Sequence, residues 1–225
     1  MNRPLVALTL TLAASSFALA ETAQAALARM DAAAAKFHSM SADVKMTTHT
    51  AILNDDTTEE GTVKMQRGKD ETEALIDFTG SKDRRTIAFL DKTIQIYYPN
   101  LKLVQVYKLG RKSKLVDQYL LLGFGTSGKD LTKGYTVSVA GSDKINGQDA
   151  TKLELVPKEK SVKEQIDKVA IWLPLDSGYP VQQQFVNPSG NYRLATYTNF
   201  QLNPDLGTGA LKLTTPPDTK VEYPQ

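Results

Sequence analysis

Between residues 59 and 108 the chain lays down five strand-like segments in succession, separated only by turns. Val63, Met65 and Arg67 share one parity, as do Ala74, Ile76 and Phe78, and again Ile94, Ile96 and Tyr98. Side chains two apart point to the same face of a strand, so each segment offers one apolar face. Turns this short permit only antiparallel neighbours, because parallel strands need long crossovers. The pattern predicts strands at 61–67, 72–79, 84–90, 93–98 and 101–108 in one curved sheet with a greasy side.

Upstream, residues 22–40 read as a helix, with Leu27, Met30, Ala34, Phe37 and Met40 recurring at spacings of three or four. The period switches to two over 41–52, and Asn54-Asp55-Asp56 reads as the turn of the first hairpin. Residues 113–124 read as a short, very apolar helix. Gly123, Gly125 and Gly128 end it and predict a flexible stretch up to Leu131. Strands resume at 134–140 and 150–157 around Ile145-Asn146-Gly147, and a helical or loop insertion follows at 161–166. The next strand, 167–174, carries the only tryptophan, Trp172, and a hairpin at 179–187 and 191–202 turns at Pro188-Ser189-Gly190. The Pro-rich tail, 214–225, reads as an edge strand, where proline is tolerated. The expectation is about ten or eleven strands and two substantial helices. No repeat or linker divides the chain, so residues 21–225 read as one domain.

The first 20 residues read as a secretory signal peptide. Arg3 gives a positive start, Leu5 to Phe17 is an apolar run of 13 residues, and Ala18-Leu19-Ala20 is a small-x-small cleavage site. The run is too short to anchor in a bilayer. Zero cysteines in an exported chain mean no disulfide framework and no site for terminal acylation, so burial alone must hold the fold. Without Arg3 the chain carries 26 basic against 25 acidic residues. That balance argues against nucleic acid as a partner and gives little pull toward anionic lipid.

Motifs with chemistry are few. Gly123 to Lys129 fits G-x-x-x-x-G-K, part of a phosphate-binding loop. However, Asp130 stands where a hydroxyl would hold magnesium, and the motif follows a helical run instead of a strand, so it reads as a loop. His38 and His49 lie on different elements without metal-ligand spacing. The acidic hairpin tip at Asp55, Asp56, Glu59 and Glu60 lacks the spacing and central glycine of a calcium loop. No Gly-x-Ser-x-Gly elbow or nucleophile–base pair is legible. Catalytic residues, metal and cofactor are therefore left unassigned, and the chain reads as a non-enzyme.

Arg67 has two readings. It either snorkels to water at a strand end or uses its fork of donors to latch a movable cover through backbone carbonyls. The apolar helix at 115–124 is likewise either permanent core or a lid swinging on Gly110 and the later glycines. From parity alone, the candidate lid and cavity residues are Leu115, Tyr119, Leu122, Phe124, Met65, Ile76, Phe78, Ile94, Ile96 and Trp172.

Several stretches, taken in order, resemble one family. They are Gly61 to Arg67, Leu90 to Pro99, Leu175 to Val181, Ser189-Gly190-Asn191 and Tyr197 to Asn203, with a further match at Ile145-Asn146-Gly147 and Leu153 to Pro157. Together they resemble the LolA family, periplasmic carriers of outer-membrane lipoproteins, over nearly all of 21–225. The resemblance implies a mainly β fold, an unclosed antiparallel β-barrel (half-barrel) of about eleven strands, its apolar concave face covered by helices. It implies Arg67 as lid latch and 115–124 as part of the lid. It further implies acylated lipoproteins as cargo, taken from an inner-membrane ABC-type release complex and passed to an outer-membrane acceptor lipoprotein by a monomer. Gly68 stands where the family often has proline, and Leu211 and Leu213 where an aromatic is common, which loosens the expectation about cargo. The rivals are a carrier of another envelope lipid or glycolipid, and a sensor or binding domain on the same half-barrel.

Overall fold

Apolar alternation and tight turns set the strand plan, and tertiary hydrogen bonds decide where helices give way to strands. The computed structural model describes residues 21–69, 71–80, 83–110 and 120–224. The signal-peptide expectation for 1–20 and most of the expected 113–124 helix lie outside them. Among the described residues, the first six strands are β1 Ser39–Thr50, β2 Asp55–Arg67, β3 Thr72–Phe78, β4 Arg85–Leu90, β5 Thr93–Tyr98 and β6 Leu103–Lys108. The other six are β7 Tyr135–Ile145, β8 Gln148–Pro157, β9 Lys168–Pro174, β10 Gln182–Val186, β11 Tyr192–Leu202 and β12 Lys220–Glu222. They form one 12-stranded sheet in the order β12-β6-β5-β4-β3-β2-β1-β11-β10-β9-β8-β7. All pairings are antiparallel except β12 with β6, which is parallel and supplies the expected edge strand from the Pro-rich tail. The two ends of the sheet do not meet, so the barrel stays open.

Parity predicts the concave face well. Met40 faces Met65, Met65 faces Ala74 and Ala74 faces Phe89 across four strands. The next row runs Val63, Ile76, Ile87 and Ile96. Asn146 and Gly147 close the β7–β8 hairpin with φ of 49° and 82°, the two-residue turn that matches strand twist. The β1–β2 turn falls at Ala51–Asn54 instead of Asn54–Asp56, because Asp55 and Asp56 already pair with Thr50 and His49 in the ladder.

Helix α1, Ala23–Ala34, starts on Thr22, whose hydroxyl accepts from the Ala25 N–H at 3.2 Å. It stops well before residue 40, which corrects the sequence expectation. The cause is Asn203: its Oδ1 accepts from the N–H groups of His38 (2.8 Å) and Ser39 (3.1 Å), and its Nδ2 donates to Lys36 O (2.8 Å). These bonds turn the chain into β1, so Phe37 and Met40 are buried from a loop and a strand. The glycine-rich stretch also departs from expectation. Gly128 opens helix α2, Gly128–Gly134, capped by the Ser127 hydroxyl, which accepts from Asp130 N–H at 3.0 Å. A short helix α3, Lys160–Lys163, fills the β8–β9 connection.

Two main apolar clusters result. One joins Phe37, Met40, Val44, Val63, Met65, Phe78 and Phe124 on the concave side of β1–β3. The other packs Ala26 and Met30 of α1, Leu122, and Leu131 of α2 on Leu153, Leu155, Ile171 and Leu173 of β8 and β9. Between them lies a hollow.

Candidate ligand-binding cavity

The hollow measures about 400 Å³ and is walled by β1–β4 on one side and β10–β11 on the other, within the range of ~300–1,000 Å³ usual for ligand sites. Met40, Met46, Val63, Met65, Ala74, Ile76 and Phe89 form the first wall. Gln183, Phe185, Ala195 and Tyr197 form the second, with Ile166 beside them, and Leu120 and Phe124 close the top. Three methionines, whose unbranched thioether chains refit to irregular shapes, face the space. Met40 and Phe124 are buried at one end, and Arg193 is exposed at the rim of the other.

The cover is a tight turn from Leu120 to Ser127 laid across α1. The Leu121 carbonyl accepts from the N–H groups of Phe124 (2.9 Å), Gly125 (2.9 Å) and Thr126 (3.0 Å). A Cβ on Gly125 would stand 2.7 Å from Arg67 Nη2 and 2.6 Å from Leu121, so the turn needs a glycine there for close approach, not for swinging. Gly128 sits against the Leu27 backbone in the same way. At Gly125 and Gly128 these contacts favour the packed reading of the two that the sequence leaves open.

Arg67 reaches both parts of the cover. Its Nη1 donates to Ala34 O at 3.3 Å and its Nη2 to Gly125 O, while the guanidinium lies 5.6 Å from the Phe37 ring centroid. The last carbonyls of a helix have no partner within it. Arg67 therefore adds a donor to Ala34 O, which otherwise has a long bond from the Phe37 N–H at 3.4 Å, and supplies one to Gly125 O with the same fork. Tyr179 adds a further bond at this end of α1, its hydroxyl donating at 2.8 Å to Ala33 O, which also accepts from the Lys36 N–H at 3.1 Å. Burial pushes the Tyr179 phenol up from its ordinary value, and the nearby Arg67 charge opposes this.

A second fastener lies deeper. Gln183, 4% exposed, donates from Nε2 to the Leu122 carbonyl and accepts at Oε1 from the Tyr197 hydroxyl at 2.7 Å. Tyr197 meets Phe124 edge-on with centroids 5.1 Å apart. Phe124 stacks on Phe200 at 5.9 Å, and Phe200 touches Tyr179 at 5.5 Å. An aromatic chain thus presses the cover onto β11.

Of the residues singled out in the sequence, Met65, Ile76 and Phe124 line the cavity. Leu122 is buried behind it, among α1, β8 and β9. Phe78 lies on the same face, under the Arg85 guanidinium at 4.7 Å. Ile94 and Ile96 face Phe89 and Ile87 but sit one strand beyond the wall, half-buried. Trp172 is on the opposite face: its neighbour Ile171 pairs with the cavity residue Gln183, while Trp172 donates from Nε1 to Asp143 at 2.7 Å beneath the Lys152 ammonium. Its place in the cavity list is corrected accordingly. Leu115 and Tyr119 lie outside the described residues. Sequence reading missed Gln183, Tyr179, Tyr197 and Arg193. For Gln183 the one available signal was its shared parity with Phe185 inside a run of three glutamines.

The other motifs resolve simply. The backbone N–H of Lys129 donates to Asp31 Oδ1 at 3.1 Å, so a carboxylate of α1 occupies the place a phosphate would take. His49 pairs with Asp56 at 2.7 Å and stacks on Tyr192. Among the described residues no three His, Asp or Glu side chains converge as a metal site.

No family model and no curated protein matches the chain. Solved structures do. An uncharacterized conserved protein from Thermus thermophilus is 13% identical, over 90% of this chain and 99% of that one, with a TM-score of 0.53. MucB is 15% identical over 85% of this chain, which spans 62% of the MucB chain, with a TM-score of 0.52. A LolA superfamily protein from Nitrosomonas europaea is 16% identical over 86% of this chain and 99% of that one, at a TM-score of 0.42. At such identities the likeness concerns architecture alone, that of an open half-barrel covered by helices.

Proposed function

We propose that the protein is a periplasmic carrier that holds the acyl chains of lipoproteins in its cavity and moves them from the inner to the outer membrane. The observation that carries the proposal is the cavity itself: about 400 Å³, apolar on both walls, under a cover held by hydrogen bonds to backbone carbonyls. Burying acyl chain is worth about 0.8 kcal/mol per CH2, so one long chain left in water costs on the order of 10 kcal/mol. A carrier must offset most of that cost and still let go. Adaptable methionines supply the first property, and a cover fastened by a few polar bonds supplies the second. The task needs binding and release, and no bond is made or broken. An inner-membrane ABC-type complex would load the cargo and an outer-membrane acceptor lipoprotein would receive it.

The likeness in architecture to MucB goes with a second reading, a regulatory sensor domain on the same half-barrel that binds a partner protein. Mass spectrometry of molecules co-purifying with protein from a periplasmic extract separates the two. Acylated peptides are expected. Free phospholipid or glycolipid would shift the cargo class, and a chain that emerges empty and displaces no acyl probe would end the carrier proposal.

A further inference from the structure

Gln183 poses a problem that the carrier proposal leaves open. It is an amide, 4% exposed, set in the wall of an apolar cavity. Its orientation is fixed by chemistry. The Leu122 carbonyl can only accept, so Nε2 must face it and Oε1 must face the Tyr197 hydroxyl, which donates at 2.7 Å. The pair opposite Gln183 on β11 is Ala195, and Ala195 faces Met46 on β1. The amide therefore projects into the hollow from between small and apolar neighbours. Its one cover partner, Leu122, belongs to the segment that must move if the cavity is to fill.

We propose that Gln183, held by Tyr197, is a recognition site for an ester or amide carbonyl of the cargo, and that the same N–H group couples cargo entry to lifting of the cover. This rests on the carrier proposal and names the ligand chemistry within it. When the cover lifts, the Leu122 carbonyl leaves Nε2 and a buried donor is stranded among methionine and alanine side chains. A stranded donor is costly, whereas an exchanged partner is nearly free. An acyl carbonyl supplies that partner, and a plain hydrocarbon has none to give. The chain of the acyl group then runs toward Met40 and Met65, and whatever is attached beyond the carbonyl leaves by the exposed rim at Arg193. The exchange makes the latch selective, because opening is stabilised only by ligands that replace the lost acceptor.

The test uses the full mature chain and a solvatochromic probe bound in the cavity, displaced by methyl laurate or by tridecane, which are of similar length. Wild type is expected to prefer the ester by about tenfold, the equivalent of ~1.4 kcal/mol. Gln183→Met, apolar and close in volume, should bring the ratio near one while tridecane still binds. Tyr197→Phe, which frees the amide to rotate, should lower the ratio part of the way, and it decides the matter if Gln183→Met does not fold. Equal affinities in wild type, or a ratio unchanged in the variants, would overturn the carbonyl site and leave the carrier standing. Failure of both ligands to displace the probe would instead remove the carrier proposal, and this one with it.

Discussion

Arg67 shows how one side chain can hold two elements that share no backbone pairing. Its fork donates to Ala34 O at the end of α1, which has the Phe37 N–H besides at 3.4 Å, and to Gly125 O in the cover turn. Arg67→Leu takes the donor from Gly125 O and leaves Ala34 O with the long Phe37 N–H bond alone, which costs the closed state about 1–3 kcal/mol. Because the sheet ladders are untouched, the fold should survive while amide exchange at 121–126 quickens by roughly ten- to hundredfold. Cargo should be trapped or lost in a transfer assay, and unchanged transfer would remove Arg67 from the latch. Tyr179 and Tyr197 add a pH signature, since burial raises both phenols above the ordinary 10.0. The sign follows from linkage. Above pH 10 the unfolded chain releases these protons while the folded one keeps them, so stability falls as pH rises beyond 10. Urea titrations at pH 9 and pH 11 should show the loss, and Tyr197→Phe should flatten part of it. At this scale parity with Val63 and Met65 marks Arg67 as inward-facing but leaves snorkelling and latching both open. Gln183 shows no such signal, because polar residues on both sides of it hide the alternation that marks an inward position.

Elements were legible wherever one face is wet and the other dry. Strand β5 falls at Thr93–Tyr98 as its alternation predicts, and β2, β3 and β4 differ only at their ends. Strand β9 is different: six of its seven residues are buried, from Val169 to Pro174, so no alternation distinguishes the cavity face from the outer one. That is why Trp172 was placed on the wrong side. The end of α1 was hidden for another reason, since the residue that turns the chain, Asn203, lies more than 160 positions downstream. Composition does not distinguish a glycine that frees the backbone from one that admits a close contact, and Gly125 and Gly128 are of the second kind. Gly125 tests this directly, because its φ lies outside the left-handed region and alanine there is opposed by the space that Arg67, Leu121 and Phe37 already fill. Gly125→Ala should therefore push Arg67 off the Gly125 carbonyl and loosen 121–126 much as Arg67→Leu does. If exchange at those amides stays at the wild-type rate, the turn is not closed by Arg67.

A sheet of 12 strands that never closes has to decide what fills its hollow side, and this molecule leaves part of it empty. The two apolar clusters hold the flanks, α1 and α2 are sewn to β8 and β9, and the gap between them is roofed by a turn fastened at Arg67 and Gln183, with Tyr179 holding the end of α1 beside it. Interiors normally pack to crystal density, whereas this apolar hollow of about 400 Å³, partly open to solvent, lacks contacts that a larger side chain would supply. Retaining such a void makes sense when occupancy by something else is the point. Ala195, 4% exposed on the β11 wall between Gln183 and Met46, is the place to ask. Ala195→Leu extends a side chain into the space without altering charge, hydrogen bonding or strand propensity of note. Filling a cavity commonly adds about 0.5–2 kcal/mol, which for a chain of this size raises Tm by roughly 2–4 °C per kcal/mol. The same substitution should weaken an acyl probe at least tenfold, read by displacement titration beside the melt. Greater stability bought at the expense of binding would mark the hollow as the working part of the molecule. Greater stability with affinity intact would place the ligand elsewhere.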